Sequence, residues 1–217
     1  LHESLDILEE LQDTHATLRV MNSLALSKRD LGEYDAARPL FERAVKVAQV
    51  LDEPLALAVA LSNLADHVKL QCEYELALRL HAESMRLFAT AGDRIGVAWS
   101  LSHQADLARE QGDPEQARRL YDRALAEFRA VDHRPGLAAC FSDLAAVADD
   151  GGDYVAAQCL YEESLKLFWG LGQKRNLPHA LESIACCAVA HGEPERALLL
   201  AGSAAALRKA LAMSLPD

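Results

Sequence analysis

The chain has 217 residues, of which 51% are hydrophobic, 25% charged and only 6% aromatic, and its formal net charge is -11. The apolar fraction excludes global disorder, and the acidic balance excludes a nucleic-acid surface, which needs clustered Lys and Arg to neutralise phosphates. No apolar run reaches the length of a membrane span.

The elements begin with a partial one. Residues 1–12 carry Leu5, Leu8 and Leu11 on one apolar stripe, with Leu1 rather than Met at position 1. Residue 1 falls in register with position 41, the middle of a second helix. The chain is therefore expected to start halfway through a unit and to be a piece of a larger protein.

From there one unit is written five times. Gly32-Glu33-Tyr34-Asp35-Ala36-Ala37 returns as Cys72-Glu73-Tyr74-Glu75-Leu76-Ala77 and as Gly112-Asp113-Pro114-Glu115-Gln116-Ala117. It returns again as Gly152-Asp153-Tyr154-Val155-Ala156-Ala157 and Gly192-Glu193-Pro194-Glu195-Arg196-Ala197, always 40 residues on. One column is alanine throughout (Ala25, Ala65, Ala105, Ala145, Ala185), and another follows the turn (Ala37, Ala77, Ala117, Ala157, Ala197). Within a unit the small and apolar columns fall at i, i+3, i+4 spacing, the mark of a buried helical face. Alanine in such a column implies that two helix axes approach closely.

Each unit is thus two helices. They are expected near 14–31 and 33–50, 54–71 and 73–91, 94–111 and 113–131, 136–150 and 153–170, and 177–191 and 193–211. Gly at the end of a first helix supplies the positive φ of a C-terminal cap, and Pro114 and Pro194 sit in the first turn of a second helix, where no N–H is needed. The segment His133-Arg134-Pro135-Gly136 reads as a turn between units. Pro39 lies inside the second helix and should bend it. No internal linker interrupts the register, so the expectation is a single repeat domain over 1–217, with units near 14–51, 54–91, 94–131, 136–171 and 177–211.

These motifs resemble the tetratricopeptide repeat (TPR) family. Ala25, Ala37, Phe41 and Ala44 match its small-small-aromatic-small pattern, and Tyr121 and Tyr161 continue the aromatic column, while His81 and Ala201 depart from it. The family's usual unit has about 34 residues, so units of 40 imply longer helices. The resemblance implies an all-α fold, a right-handed α–α superhelix of five helix-turn-helix units plus a partial N-terminal helix. Long units of this kind resemble the sensor regions of bacterial signal-transduction ATPases and LuxR-type transcription regulators, and the peptide-binding domains of Gram-positive quorum-sensing regulators. That resemblance implies a cytoplasmic, non-catalytic scaffold for signal transduction and transcription regulation, binding a protein, a peptide or a small effector.

In such solenoids the first helices line the concave side. Registering the repeat puts Arg19, Val59, Trp99, Ala139 and His179 in one row there, and Asn22, Ser62, Ser102, Ser142 and Glu182 in the next. A third row reads Leu26, Asp66, Asp106, Ala146 and Cys186, and a fourth Arg29, Lys69, Arg109, Asp149 and Val189. Two readings stand. The rows form a groove in which the cations grip carboxylates and Trp99 anchors a partner, or the charges pair with one another along a solvated face.

The remaining chemistry is sparse. The five cysteines are odd in number and include no Cys-x-x-Cys pair, so free thiols are expected. Cys186-Cys187 is a vicinal pair with two readings, a redox sensor or one core and one surface thiol. Asp66 beside His67, and His103 on one face with Asp106, offer a conceivable metal site against the plainer reading of surface polar residues. No cofactor and no enzymatic motif is read. Phe88, Phe128, Phe168 and Trp169 are read as packing residues. The last helix, Ala197 to Leu207, is apolar nearly all round, which leads to the expectation that something covers it, either further C-terminal chain or a second copy in a homodimer through 193–211; the alternative to a binding role is a structural or oligomerising scaffold.

Overall fold

The structure, a computed structural model, describes residues 14–211. The remnant of a preceding unit expected at 1–12, with Leu5, Leu8 and Leu11, lies outside the described residues. Ten α-helices occur among the described residues, and no strand. They are α1 (Thr14–Asp30), α2 (Tyr34–Leu51), α3 (Pro54–Leu70), α4 (Tyr74–Thr90), α5 (Arg94–Glu110), α6 (Pro114–Ala130), α7 (Arg134–Asp150), α8 (Tyr154–Gly170), α9 (Leu177–Ala190) and α10 (Pro194–Ala210).

The described residues divide into two compact units, 14–107 and 108–211, with the boundary inside α5. In the first unit α1 packs on α2, α2 on α3 and α3 on α4, and α1 also touches α3. Its core gathers Ala25, Ala37, Phe41, Leu64, Val68, Ala77 and Leu107, with a second cluster of Leu18, Met21, Ala44, Ala48 and Ala60. In the second unit α6 packs on α7, and α7, α8, α9 and α10 follow in sequence. There the core holds Ala145, Ala148, Ala157, Tyr161, Ile184 and Cys187. Both alanine columns are buried along their whole length.

The turns are built as the spacing requires. Gly32, Gly112, Gly152 and Gly192 take φ of 76° to 79°, and the next residue's N–H reaches back five residues, as in Asp113 N to Ala108 O at 2.9 Å. Cys72 adopts the same left-handed conformation, φ 63°, without glycine's freedom. Asp113 and Asp153 then cap the following helix, accepting from Gln116 N at 2.9 Å and Ala156 N at 3.0 Å. In two of the units a second helix is also tied to a first by a buried serine hydroxyl. Ser84 Oγ donates to Ala58 O at 2.7 Å and Ser164 Oγ to Ala138 O at 2.8 Å.

Two sequence readings need correcting. His133-Arg134-Pro135-Gly136 is not all turn. α7 starts at Arg134, His133 Nδ1 accepts from Gly136 N at 3.1 Å, and Pro135 lies in the first turn. Gly136 lies inside this helix, and it is glycine because the Phe128 ring lies against it, only 2.4 Å from where a Cβ would stand. Trp169, read as packing between units, is 71% exposed.

Candidate functional site

In the first unit, the first helices α1, α3 and α5 carry the residues expected to face a partner. Arg19 is exposed; Asn22, Arg29, Ser62, Asp66, Lys69, Trp99 and Asp106 are half-buried, and Ser102 is buried with its hydroxyl donated to Ala98 O at 3.2 Å. Between α1 and α3 runs a groove of about 500 Å³ lined by His15, Leu18, Arg19, Asn22, Leu55, Ala56 and Val59. The Asn22 side-chain oxygen is buried and has no hydrogen-bond partner among the described residues. Arg29 Nη2 lies 3.4 Å from Asp30 Oδ1.

The second unit keeps more of its candidates for itself. Arg109 Nη1 donates to Asp150 Oδ2 at 3.1 Å. Burial, then the neighbouring Asp150, raises the Asp149 carboxyl above its ordinary range. Glu182 is gripped at both oxygens by Arg208, at 2.8 Å and 2.5 Å, which pulls its pKa below the usual carboxylate value. Ser142 is half-buried and His179 exposed. Of the vicinal thiols, Cys187 is buried and pushed up to about 11 by that burial, whereas Cys186 is exposed. Cys72 and Cys159 are exposed too, and none of the five cysteines is in a disulfide.

The sharpest cluster of polar groups lies on α3, α4 and α5 of the first unit. Asp66 Oδ1 stands 3.4 Å from His81 Nε2 and 3.3 Å from His103 Nδ1. The two imidazole rings are 5.0 Å apart between centroids, and Trp99 lies 6.3 Å from the His103 ring. His81 occupies the column of Phe41, Tyr121 and Tyr161 and is fully buried like them. Burial drives its pKa down to about 3, so the ring is neutral. Burial also lifts the Asp66 carboxyl, against the opposing pull of His103, Arg29 and Lys69.

The sequence suggests His67 beside Asp66 and Asp106 beside His103 as candidate neighbours. His67 instead points into the core, 5.1 Å from the Phe41 ring, where burial lowers its pKa. The residue that sequence reasoning misses is His81, whose one signal is its departure from the aromatic column.

A succession of antiparallel helix pairs with small residues at the crossings defines an α-helical repeat protein. Family models confirm which kind. Two described as Tetratricopeptide repeat match, one over residues 56–130 and 96–168, the other over 17–51. The chain belongs to the tetratricopeptide repeat family, whose repeats serve protein interaction. No curated protein matches it.

Solved structures share the fold. BtubC (BKLC) from P. vanneervenii is similar over 100% of this chain and 91% of its own, with TM-score 0.80 and 21% identity. A putative kinesin light chain with nearly identical TPR-like repeats from Podosopora anserina matches at TM-score 0.65 and 18% identity, covering 91% of this chain and 97% of that one. The Signal Transduction ATPase with Numerous Domains protein from Pyrococcus horikoshii, which has a tetratricopeptide repeat sensor, matches at TM-score 0.71 and 14% identity. There the match covers 93% of this chain but 34% of the other. No helix among the described residues is long and apolar enough to cross a membrane.

Proposed function

We propose that the chain is a non-catalytic binding scaffold whose first-helix face in residues 14–107 takes an extended peptide bearing a carboxylate. The observation that carries this reading is the groove between α1 and α3. It combines apolar walls (Leu18, Leu55, Val59), an exposed guanidinium at Arg19, and an Asn22 amide oxygen that is buried without a partner. A buried acceptor left unpaired costs about 1–3 kcal/mol, and a turn of the half-buried Asn22 side chain toward the groove lets a peptide N–H remove that cost. Arg19 supplies the charge-assisted contact to a carboxylate. The fold shared with the tetratricopeptide repeat sensor of a signal transduction ATPase fits a sensing role; a place in a cytoplasmic bacterial regulator of transcription is the further part of this proposal and rests on the resemblance of the long repeat units alone.

The test is selection of peptides from a random phage-displayed library, followed by titration of the winners. Arg19→Glu and Asn22→Ala should each weaken binding about 10-fold or more, the loss expected for one charged or buried hydrogen bond. Equal binding by both variants would remove this face from the reading.

A second reading rests on α10. Leu198 and Leu199 are 75% and 73% exposed, and Leu198 borders, with Val189, Ala185 and Ala201, an apolar groove of about 500 Å³ between α9 and α10. In earlier pairs the second helix is covered by the first helix of the next pair, as α2 is by α3. A second copy of the chain, offering the same apolar face, supplies that cover in a homodimer.

A further inference from the structure

The Asp66, His81 and His103 cluster stands apart from the peptide groove and does not depend on it. Its three donor atoms come from three successive helices and all lie within 4.8 Å of one another. Tetrahedral zinc holds imidazole nitrogen at about 2.0–2.1 Å and carboxylate oxygen at about 2.0–2.2 Å, which puts neighbouring donors about 3.3–3.4 Å apart. The two edges that meet at Asp66 Oδ1 measure 3.3 Å and 3.4 Å. The remaining edge, between the two rings, is within 4.8 Å, and of the two rings His103 is the more exposed and so the freer to adjust to an ion.

A plain hydrogen-bond cluster does not account for the arrangement. Neither nitrogen of His81 and not Nδ1 of His103 has a hydrogen-bond partner among the described residues, although all three are buried. A neutral imidazole in a core needs a donor and an acceptor for its two nitrogens, and the aromatic residues Phe41, Tyr121 and Tyr161 fill this column elsewhere without that difficulty. Histidine at this place makes sense as a ligand. Two imidazoles and a carboxylate suit late first-row divalent ions and not magnesium or calcium, which prefer all-oxygen shells.

We propose that Asp66, His81 and His103 form a binding site for a single late first-row divalent cation, zinc foremost. The ion joins α3, α4 and α5 and keeps a fourth position open toward the side where Asp66 and His103 are 30% and 26% exposed. Water or a partner's donor atom completes the coordination there.

The experiment uses the full chain, stripped with a chelator and held reduced. It is titrated with Co²⁺, followed by visible absorption, and then with Zn²⁺ in competition and by calorimetry. The expected result is one equivalent bound, a tetrahedral cobalt band that zinc abolishes, and a melting temperature several degrees higher with saturating zinc. His81→Tyr places in the column the residue found at Tyr121 and Tyr161, so the fold is kept, as circular dichroism will show, and the equivalent is lost. Asp66→Asn, at a half-buried position, gives a second reading: affinity falls by at least the 10- to 100-fold that even an outer partner of a metal ligand costs. A Cys72→Ser, Cys159→Ser, Cys186→Ser variant binds as the parent does. Absence of the band and of the melting shift at millimolar metal overturns the site. So does metal binding that survives both His81→Tyr and Asp66→Asn, or that disappears with the three exposed thiols.

Discussion

At the scale of single residues, the turns show how much of this chain is decided by backbone freedom. Four of the five homologous turn positions are glycine at φ near 77°, and nothing lies within 4 Å of where a Cβ would sit at Gly32, Gly112, Gly152 and Gly192. The glycines are there for their dihedral angle and not for space. Cys72 holds the same conformation with a side chain attached, at a strain of about 1–2 kcal/mol. Cys72→Gly should therefore stabilise the protein by about 1 kcal/mol, after allowing for the greater freedom glycine has in the unfolded chain. Urea unfolding at neutral pH measures it, and an unchanged or lower midpoint would show that the strain is relieved elsewhere. Gly136 makes the opposite case. It also looks like a turn residue in sequence, yet it is helical and kept small by the Phe128 ring. Composition alone does not separate these two uses of glycine; the aromatic eight residues earlier does.

Helices are where the sequence is most legible. A strict 40-residue register makes each column an average over five copies, so a local ambiguity in one unit is resolved by the others. The buried alanine columns, the pairing and the turn positions all follow from it. The weaker readings concern side chains whose neighbours come from other helices. Trp169 follows the core residue Phe168 but lies about 100° further round the helix, which turns it outward. His67 and Asp66 point apart for the same reason. The row of Glu182 puts it on the partner face, and in the fold it is held by Arg208, which reaches back from α10 to α9. The folded pKa of Glu182 lies below its ordinary value because Arg208 bonds the ionised form. Its contribution to stability is thus complete above about pH 4.5 and is lost as pH falls through the depressed folded value. Arg208→Leu should lower the urea midpoint at pH 7 and flatten the fall in stability between about pH 5 and pH 3, so that the two proteins converge in acid. Parallel pH profiles for the parent and the variant would mean that this pair does not hold α10.

At the scale of the whole molecule, fold and function are legible to different depths. The repeat reaches the family because its matching columns are core columns, and core packing is what a helical repeat shares with its relatives. Sites are grafted onto that frame and leave no periodic trace. His81 is separated from Asp66 and His103 by 15 and 22 residues, a spacing with no local motif, and only the interrupted aromatic column marks it. The proposed homodimer is a matter for the whole chain, since a net charge of -11 opposes a second copy while the exposed Leu198 and Leu199 of α10 would favour one. These two effects answer to salt in opposite ways. Raising ionic strength from about 0.15 M to 1 M shortens the screening length from about 8 Å to about 3 Å and removes the repulsion without weakening apolar contact. The dimer fraction at micromolar protein should therefore rise with salt, and Leu198→Glu with Leu199→Glu should leave a monomer at every salt concentration. Light scattering across the salt series decides it: dissociation by salt would assign the contact to ion pairs elsewhere, and a monomer throughout would end the dimer reading.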